Sequence, residues 1–240
     1  MKIITTFAWI VLGLTLSSWT PDKKIKGSGH IITETRETGA FDQVNISGGI
    51  DLVLTQGDAC PLRLEGDDNL LQYIDTEVQN HTLVIRRNTR KDLKPSRSLK
   101  IYVTVPDLKQ IAASAASDVS SANLWRVEKM EIRLSAAADL NFKIDADELT
   151  LSASAASDSK LEGRVNYFKV NASAASDITA RKLQAKTADI VASAASSVYV
   201  TVTEELSYDL TGASSLTYYG RPRIEHARSV AASSVRQAKP

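Results

Sequence analysis

Four aspartates recur along the second half of the chain, each directly after a run of small residues. They are Asp118, Asp139, Asp158 and Asp177. If they stack in a repeating fold, four carboxylates lie one strand spacing apart, where like charges repel unless they are neutralised. Such a row could bind Ca²⁺, because hard cations prefer oxygen ligands, or it could bind sugar hydroxyls. The spacing therefore marks the four aspartates as candidate ligand-facing residues.

A simpler role for these aspartates is to form turns. An Asp side chain can accept a hydrogen bond from a backbone N–H two residues further along the chain. The equivalent positions in three later copies of the motif are Ser197, Ser215 and Ser234. Ser makes the same local bond more weakly but is a poor substitute for a cation ligand. The exchange favours turn formation, and we expect no metal ion and no other cofactor.

A second candidate is a basic stretch that begins with Arg86, Arg87, Arg90 and Lys91. It continues to Lys100 with Asp92 as its one acidic residue. Charged runs between strands are usually solvated, so we interpret it as a loop between strands near 83–86 and 99–105. The alternative is a patch for an anionic envelope polymer or for lipid headgroups, which would make the protein a membrane-surface module.

The aspartate row also raises the possibility of a polysaccharide lyase or glycoside hydrolase. A stacked pair such as Asp139 and Asp158 could approach the carboxylate separation of a retaining glycosidase. Such catalysis needs one buried acid and one carboxylate in a different environment, and the sequence does not distinguish the two. Aromatic residues, which often line sugar subsites, make up only 6% of the chain. We therefore expect no enzymatic activity.

Composition excludes other classes of function. The chain has 29 Lys and Arg residues against 28 Asp and Glu residues, a net charge of +1. This balance argues against a nucleic-acid-binding protein, which depends on phosphate neutralisation. With three His and one Cys, Cys60, the chain has no set of ligands for a Cys/His zinc site. An intramolecular disulfide is impossible.

Residues 1–20 have the layout of a secretory signal peptide. A basic start at Lys2 precedes an apolar run from Ile3 to Leu16, and small residues follow. The run is shorter than the roughly 20 residues that a membrane-spanning helix needs. We expect an exported protein with no transmembrane segment in its mature chain, located in the periplasm, at the outer-membrane surface or outside the cell.

The elements that position the aspartates belong to an internal repeat. Ala and Ser together number 9 in residues 1–110 and 46 in residues 111–240. Seven copies of a small-residue motif end at positions spaced 21, 19, 19, 20, 18 and 19 residues apart. A fixed period over so many copies indicates a solenoid.

The residues on either side of each motif alternate between apolar and polar, as in strands. The alternation is clear at Met130, Ile132 and Leu134, and again at Leu140, Phe142 and Ile144. The repeat predicts an all-β fold, a right-handed parallel β-helix with about 19–21 residues per turn. Small side chains at the corners, such as Ala155 and Ala174, are expected to pack inside the column.

We divide the mature chain into two continuous parts. Residues 21–110 form an irregular β-rich N-terminal part that covers the open end of the stack, and residues 111–240 form the repeats. A short helix is predicted to start within residues 67–74.

Several segments, taken in order, resemble a known family. They are Gly39-Ala-Phe-Asp-Gln-Val44, Ser47-Gly-Gly-Ile-Asp51 with its continuation to Gly57, Asp67-Asp-Asn-Leu-Leu71 and Tyr219-Gly-Arg-Pro222. With the small-residue repeats, they resemble the putative auto-transporter adhesin, head GIN domain family over residues 27–240. The resemblance implies a right-handed β-helix and a location in a bacterial cell envelope, and it supplies no catalytic residues. The corners depart from the expected pattern, because they use Ser-Ala-Ala-Ser where more Gly is expected.

These observations predict a non-catalytic, structural or adhesive protein of the cell envelope. Its partner would be an envelope or host polysaccharide, or a surface protein, bound along the β-helix surface.

Overall fold

The computed structural model describes residues 24–239, which fold almost entirely into β-strands. The predicted signal peptide lies outside the described residues. The strands are β1 (Ile25–Lys26), β2 (Ile31–Arg36), β3 (Gln43–Ser47), β4 (Asp51–Gln56), β5 (Leu62–Asp67), β6 (Ile74–Gln79), β7 (Thr82–Arg87), β8 (Leu93–Lys94), β9 (Lys100–Val105), β10 (Gln110–Ser114), β11 (Asp118–Ser121), β12 (Trp125–Leu134), β13 (Asp139–Ala153), β14 (Asp158–Ala172), β15 (Asp177–Ala192), β16 (Ser197–Leu210), β17 (Ser215–Tyr219), β18 (Arg223–Ser229) and β19 (Ser234–Ala238). A turn of 3-10 helix at Leu71–Tyr73 lies within the stretch where the sequence predicted a short helix.

From β10 onwards, each turn of chain pairs in parallel with the next. β13 pairs along its length with β14, and β14 with β15, so that residues one period apart lie side by side. The result is a β-solenoid of about seven turns with irregular strands at its N-terminal end. The predicted fold class is confirmed.

The core is a column of stacked apolar side chains. In β13, Leu140, Phe142 and Ile144 are buried while the residues between them are exposed, as the alternation predicted. Trp125 is fully buried, and its ring centroid lies 5.8 Å from that of Phe142. Tyr219 instead lies on the outer surface, with the Arg181 guanidinium 4.8 Å from its ring centroid.

The N-terminal end of the column is closed by strands that come from several parts of the chain. β3 pairs in parallel with both β7 and β10, and β4 pairs with both β9 and β11. The β3–β4 turn therefore lies between two turns that follow it in sequence. β6 then pairs antiparallel with β7, and β5 with β9. These antiparallel strands occupy hydrogen-bonding groups that an open end would expose.

The corners of the solenoid contain two consecutive residues in the left-handed helical conformation. At the first Ser/Ala corner, Ala115 and Ala116 have φ angles of 54° and 57°. Later corners repeat this geometry, and the Ala116 N–H donates to the carbonyl of Ala136 one turn later, at 3.0 Å. Left-handed residues other than Gly are strained by about 1–2 kcal/mol each. The corner ladder offsets part of this strain.

The residue after each left-handed pair is a buried Ser in most turns. The Ser157 hydroxyl donates to the carbonyl of Ser154 at 2.7 Å, and the Ser176 hydroxyl to that of Ala153 at 3.1 Å. The expectation that Ala155 and Ala174 pack inside the column is wrong, since both are exposed. The corner places the following Ser, not the alanines, in the tight space against the neighbouring turns.

Asp67 fastens the N-terminal segment to the solenoid. Its buried carboxylate accepts hydrogen bonds from the Gly29 N–H (2.8 Å), the Ser96 N–H (2.8 Å) and the Ser96 hydroxyl (2.7 Å). Burial by itself raises the pKa of Asp67, but the hydrogen bonds from Ser96 and Gly29 outweigh it and hold the pKa below its ordinary value. Gly27 packs so closely that an added Cβ would overlap this carboxylate.

No helix in residues 24–239 is long and apolar enough to cross a membrane.

Replacing Ala174 with Gly is expected to stabilise the protein, because Gly adopts the left-handed conformation without strain. The relief exceeds the added flexibility of the unfolded chain by about 0.5–1 kcal/mol, which corresponds to a rise of about 1–4 °C in Tm. Ala174→Val should lower Tm. Ala172→Gly, at a buried strand position, is the control and should also lower Tm. A fall in Tm for Ala174→Gly would contradict the corner geometry.

Replacing Asp67 with Asn is expected to destabilise the protein by at least about 2 kcal/mol at neutral pH, because charge-assisted hydrogen bonds are lost. Since the folded-state pKa of Asp67 is lowered, its contribution is present above the unfolded-state pKa and is lost as the pH falls through the folded-state pKa. Urea unfolding of both proteins should therefore show a difference that shrinks below about pH 4. A difference that does not change with pH would contradict the role of the charge.

Candidate functional site

The four predicted aspartates form one column. Asp118, Asp139, Asp158 and Asp177 are direct neighbours in the parallel register. Asp51 precedes them beside Asp118, and Lys100 lies beside Asp51. We call the five residues from Asp51 to Asp177 the aspartate column. It continues through Ser197, Ser215 and Ser234.

Asp51 was missed in the sequence analysis, although a signal for it exists. Ser47-Gly48-Gly49-Ile50-Asp51 has the same five-residue frame as Ser114-Ala-Ala-Ser-Asp118. Gly48 and Gly49 take the left-handed positions that alanines take in later turns, with φ angles of 101° and 64°. The segment therefore forms the first corner of the column, with Gly in place of Ala at the two left-handed positions.

The carboxylates of the column repel one another. Burial raises the pKa of Asp158 most, and the charges of Asp139 and Asp177 raise it further, while the Asp177 backbone N–H partly opposes the shift. Burial also raises the pKa of Asp118, followed by the charges of Asp51 and Asp139. Repulsion between neighbouring carboxylates in the column therefore disfavours their charged forms.

The structure does not support the turn-forming role of the aspartates. Within residues 24–239, the carboxylates of Asp118, Asp139, Asp158 and Asp177 accept no hydrogen bond from their own corners; the buried serines bind the corner carbonyls instead. In the same part of the chain, no group of three or more His, Cys, Asp or Glu residues is arranged to hold a metal ion. The column is an exposed acidic stripe on one face of the solenoid.

The basic stretch is divided between different surroundings. The Arg86 guanidinium donates to Glu77 at 2.9 Å, and it lies 3.8 Å from Asp75. Arg87 crosses the first corner and reaches the carbonyl of Gly49 at 3.5 Å. Arg90 and Lys91 are exposed and have no ion pair among the described residues. β8 also pairs with β1, so that the stretch between β7 and β9 is not only a solvated loop.

A trough runs along the solenoid across strands β12 to β16. It has a volume of about 700 Å³ and is lined by side chains from five successive turns. Since neighbouring parallel strands lie about 4.8 Å apart, four steps give it a length of about 19 Å. We call this feature the lateral trough.

The lateral trough has two polar walls and an apolar floor. One wall is a register column of Arg126, Asp145, Arg164 and Gln184. The floor is the next column, Val127, Ala146, Val165 and Ala185. The opposite wall contains Glu128, Asp147, Asn166, Lys186 and Glu204.

Two carboxylates of the walls are held in place by the next turn. Asp145 accepts a hydrogen bond from the Arg164 backbone N–H at 3.1 Å, and Asp147 accepts one from the Asn166 side-chain amide at 2.6 Å. No carboxylate oxygen of residues 24–239 lies within 4.0 Å of the Arg126 or Arg164 guanidinium. The trough therefore offers oriented acceptors together with unpaired donors.

Sequence reasoning missed the trough. In three turns its wall residue follows the preceding column residue at a distance of six or seven residues: Asp145 follows Asp139, Arg164 follows Asp158 and Gln184 follows Asp177. The position is periodic, but the residue types change from turn to turn. The signal that identified the aspartates was therefore absent here.

Comparison with known proteins gives a family and a fold. Residues 40–222 match the model of the family described as "Putative auto-transporter adhesin, head GIN domain". A crystal structure of a putative adhesin from Bacteroides fragilis is similar with a TM-score of 0.84 and 20% identity, covering 89% of this chain and 100% of that one. A putative lipid binding protein from Parabacteroides distasonis is similar with a TM-score of 0.74 and 22% identity, covering 90% and 100% of the two chains. At these identities the likeness shows the fold alone. No curated protein matches the chain.

Replacing Asp158 with Asn is expected to stabilise the protein at neutral pH by about 0.5 kcal/mol, because it removes one of the repelling charges in the column. The folded-state pKa of Asp158 is raised, so its charge destabilises the fold above that pKa. The advantage of the variant should shrink as the pH falls through this pKa and vanish below the unfolded-state value of about 3.9. Thermal melts at several pH values measure it.

Ser159→Ala, at the buried neighbouring position, is the control for effects of side-chain replacement and should show no such dependence on pH. A lower Tm for Asp158→Asn at neutral pH would mean that the carboxylate is stabilised by a partner.

Proposed function

We propose a binding role for this chain, which belongs to the family described as putative auto-transporter adhesin, head GIN domain. It is an exported, non-catalytic protein of a cell envelope, located in the periplasm, at the outer-membrane surface or outside the cell. Its partner is an envelope or host polysaccharide or a surface protein, bound along the side of the β-helix. The family description and the predicted signal peptide support this proposal.

The lateral trough is the observation that carries the proposal. It is concave, and it draws residues from five successive turns, four of which supply both walls and the floor, so that its long axis follows the solenoid axis. Ligand sites usually combine an apolar surface with a few polar groups of fixed orientation. The floor from Val127 to Ala185 and the oriented carboxylates of Asp145 and Asp147 have this character. A long, narrow site of this kind suits an extended polymer.

The alternative is a polysaccharide lyase or glycoside hydrolase that uses the stacked aspartates. Asp139 and Asp158 occupy equivalent positions in adjacent turns, both are exposed, and neither lines the lateral trough. Glycosidases need two carboxyl groups whose environments separate their pKa values. Neither carboxylate is buried as the acid of such a pair is, which favours binding over cleavage.

Size-exclusion chromatography of the purified protein with a panel of envelope and host polysaccharides tests this function. The expected result is that at least one polysaccharide elutes together with the protein at unchanged length. A shortened polysaccharide would favour the enzyme, and Asp139→Asn and Asp158→Asn would then abolish the shortening.

The same chromatography with anionic liposomes at low and high salt tests the membrane-surface alternative. Retention that disappears in high salt and in a variant with Arg90→Gln and Lys91→Gln would favour that alternative over polymer binding.

A further inference from the structure

We infer that the lateral trough binds an extended polysaccharide without net charge, with one sugar residue for each turn of the solenoid. This inference rests on the proposed function and names its site and the class of its ligand. The inference depends on the two polar walls and the floor between them. One wall begins at Arg126 and ends at Gln184, and the other begins at Glu128 and ends at Glu204, with one residue from each turn.

The spacing of the turns favours a polysaccharide over a peptide. The trough presents one set of side chains about every 4.8 Å, which is close to the length that one sugar residue adds to an extended pyranose chain. An extended peptide repeats its side-chain direction only every two residues, or about 6.6–6.8 Å. It would lose register with the turns within two or three steps. The strands also run across the trough, so that it offers no free strand edge for a peptide to pair with.

The charges of the trough favour a neutral polymer over a polyanion. Three positive side chains, Arg126, Arg164 and Lys186, stand against four negative ones, Glu128, Asp145, Asp147 and Glu204. The two signs are interspersed along both walls. A polyanion would meet carboxylates at three of the five turns, two of which offer it no cation, and like charges placed together disfavour a partner.

The hydrogen-bonding groups of the walls fit pairs of hydroxyls. Guanidinium, carboxylate and carboxamide groups are planar and can each form two hydrogen bonds side by side. The Arg126 and Arg164 guanidiniums have no carboxylate within 4.0 Å among the described residues, so their donors are available. Asp145 and Asp147 are oriented before a ligand arrives, which reduces the ordering cost of binding.

The floor fits the apolar side of a sugar chain. Val127 and Ala146 are half-buried and pack against the core. Val165 and Ala185, which continue the same register column, are buried. Small aliphatic side chains keep the trough open along its length. At the two turns where Val127 and Ala146 are partly exposed, a flat sugar ring can lie with its C–H groups on the floor and its hydroxyls towards both walls.

A length series of neutral oligosaccharides tests this inference. Calorimetry is carried out on the purified protein with gluco-, manno- and galacto-oligosaccharides of about two to eight residues, with alginate oligomers as the anionic probe. For at least one neutral series, affinity should rise with each added residue up to about five residues and then level off, since the trough spans five turns. Binding should depend little on salt.

Paired variants locate the site. Arg164→Ala with Asn166→Ala removes both walls at the central turn and should weaken binding at least tenfold, because two hydrogen-bonding groups are lost. The matched control is Arg133→Ala with Asn171→Ala, which removes the same residue types from a separate pocket of about 330 Å³. The control should bind as the unchanged protein does.

The outcomes separate this inference from the function on which it rests. Binding only to alginate with strong salt dependence, affinity that does not depend on length, or loss of binding in the Arg133/Asn171 control would each overturn the inference, while polymer binding itself stands. If neither these probes nor the chromatographic panel binds, the inference and the proposed function both fail.

Discussion

The structure depends on the corner, where the chain changes direction sharply in every turn. Two consecutive left-handed residues achieve this, and they appear as Ala155 and Ala156 or as Ala174 and Ala175 in successive turns. Their strain is tolerated because the corner N–H of each turn is bonded to the next turn, as from Ala156 to Ala174 at 3.0 Å. In most turns, a buried Ser hydroxyl after the pair satisfies a further carbonyl. Larger side chains are excluded by backbone conformation more than by lack of space.

Parallel register makes every feature of one turn a feature of the column. An inward Leu or Ile stacks on its equivalents and builds a continuous core, and an outward Asp stacks in the same way. The aspartate column is the unfavourable consequence of this rule, because Asp158 lies between two like charges. The lateral trough follows from the same rule, since corresponding stretches of successive turns lie side by side and together form one groove. Its walls avoid the repulsion of the column by mixing charges of both signs.

The N-terminal end obeys different rules, because the repeat has no earlier turn to pair with. The chain places β7 and β9 on the outer side of β3 and β4 and covers them with the antiparallel strands β6 and β5. Asp67 then ties the segment around Gly29 to Ser96 with three hydrogen bonds. Buried charge is acceptable there because each carboxylate oxygen has a donor. The cap is built from specific contacts, whereas the column is built from repetition.

The sequence by itself determined the solenoid, because a period of about 19 residues and apolar alternation around Leu140 and Phe142 allow only strands that stack on their own repeats. It also determined that Asp118 to Asp177 form one column, since equal spacing becomes adjacency in parallel register. Only the tertiary structure placed Ala155 and Ala174 outside the core and separated Arg86 and Arg87, whereas the five-residue frame that ends at Asp51 was already present in the sequence. Residue types do not reveal left-handed φ angles or pairing between β3 and strands later in the chain. The trough was likewise visible only after folding, because it is a property of backbone shape, and its side chains share a position without sharing a type.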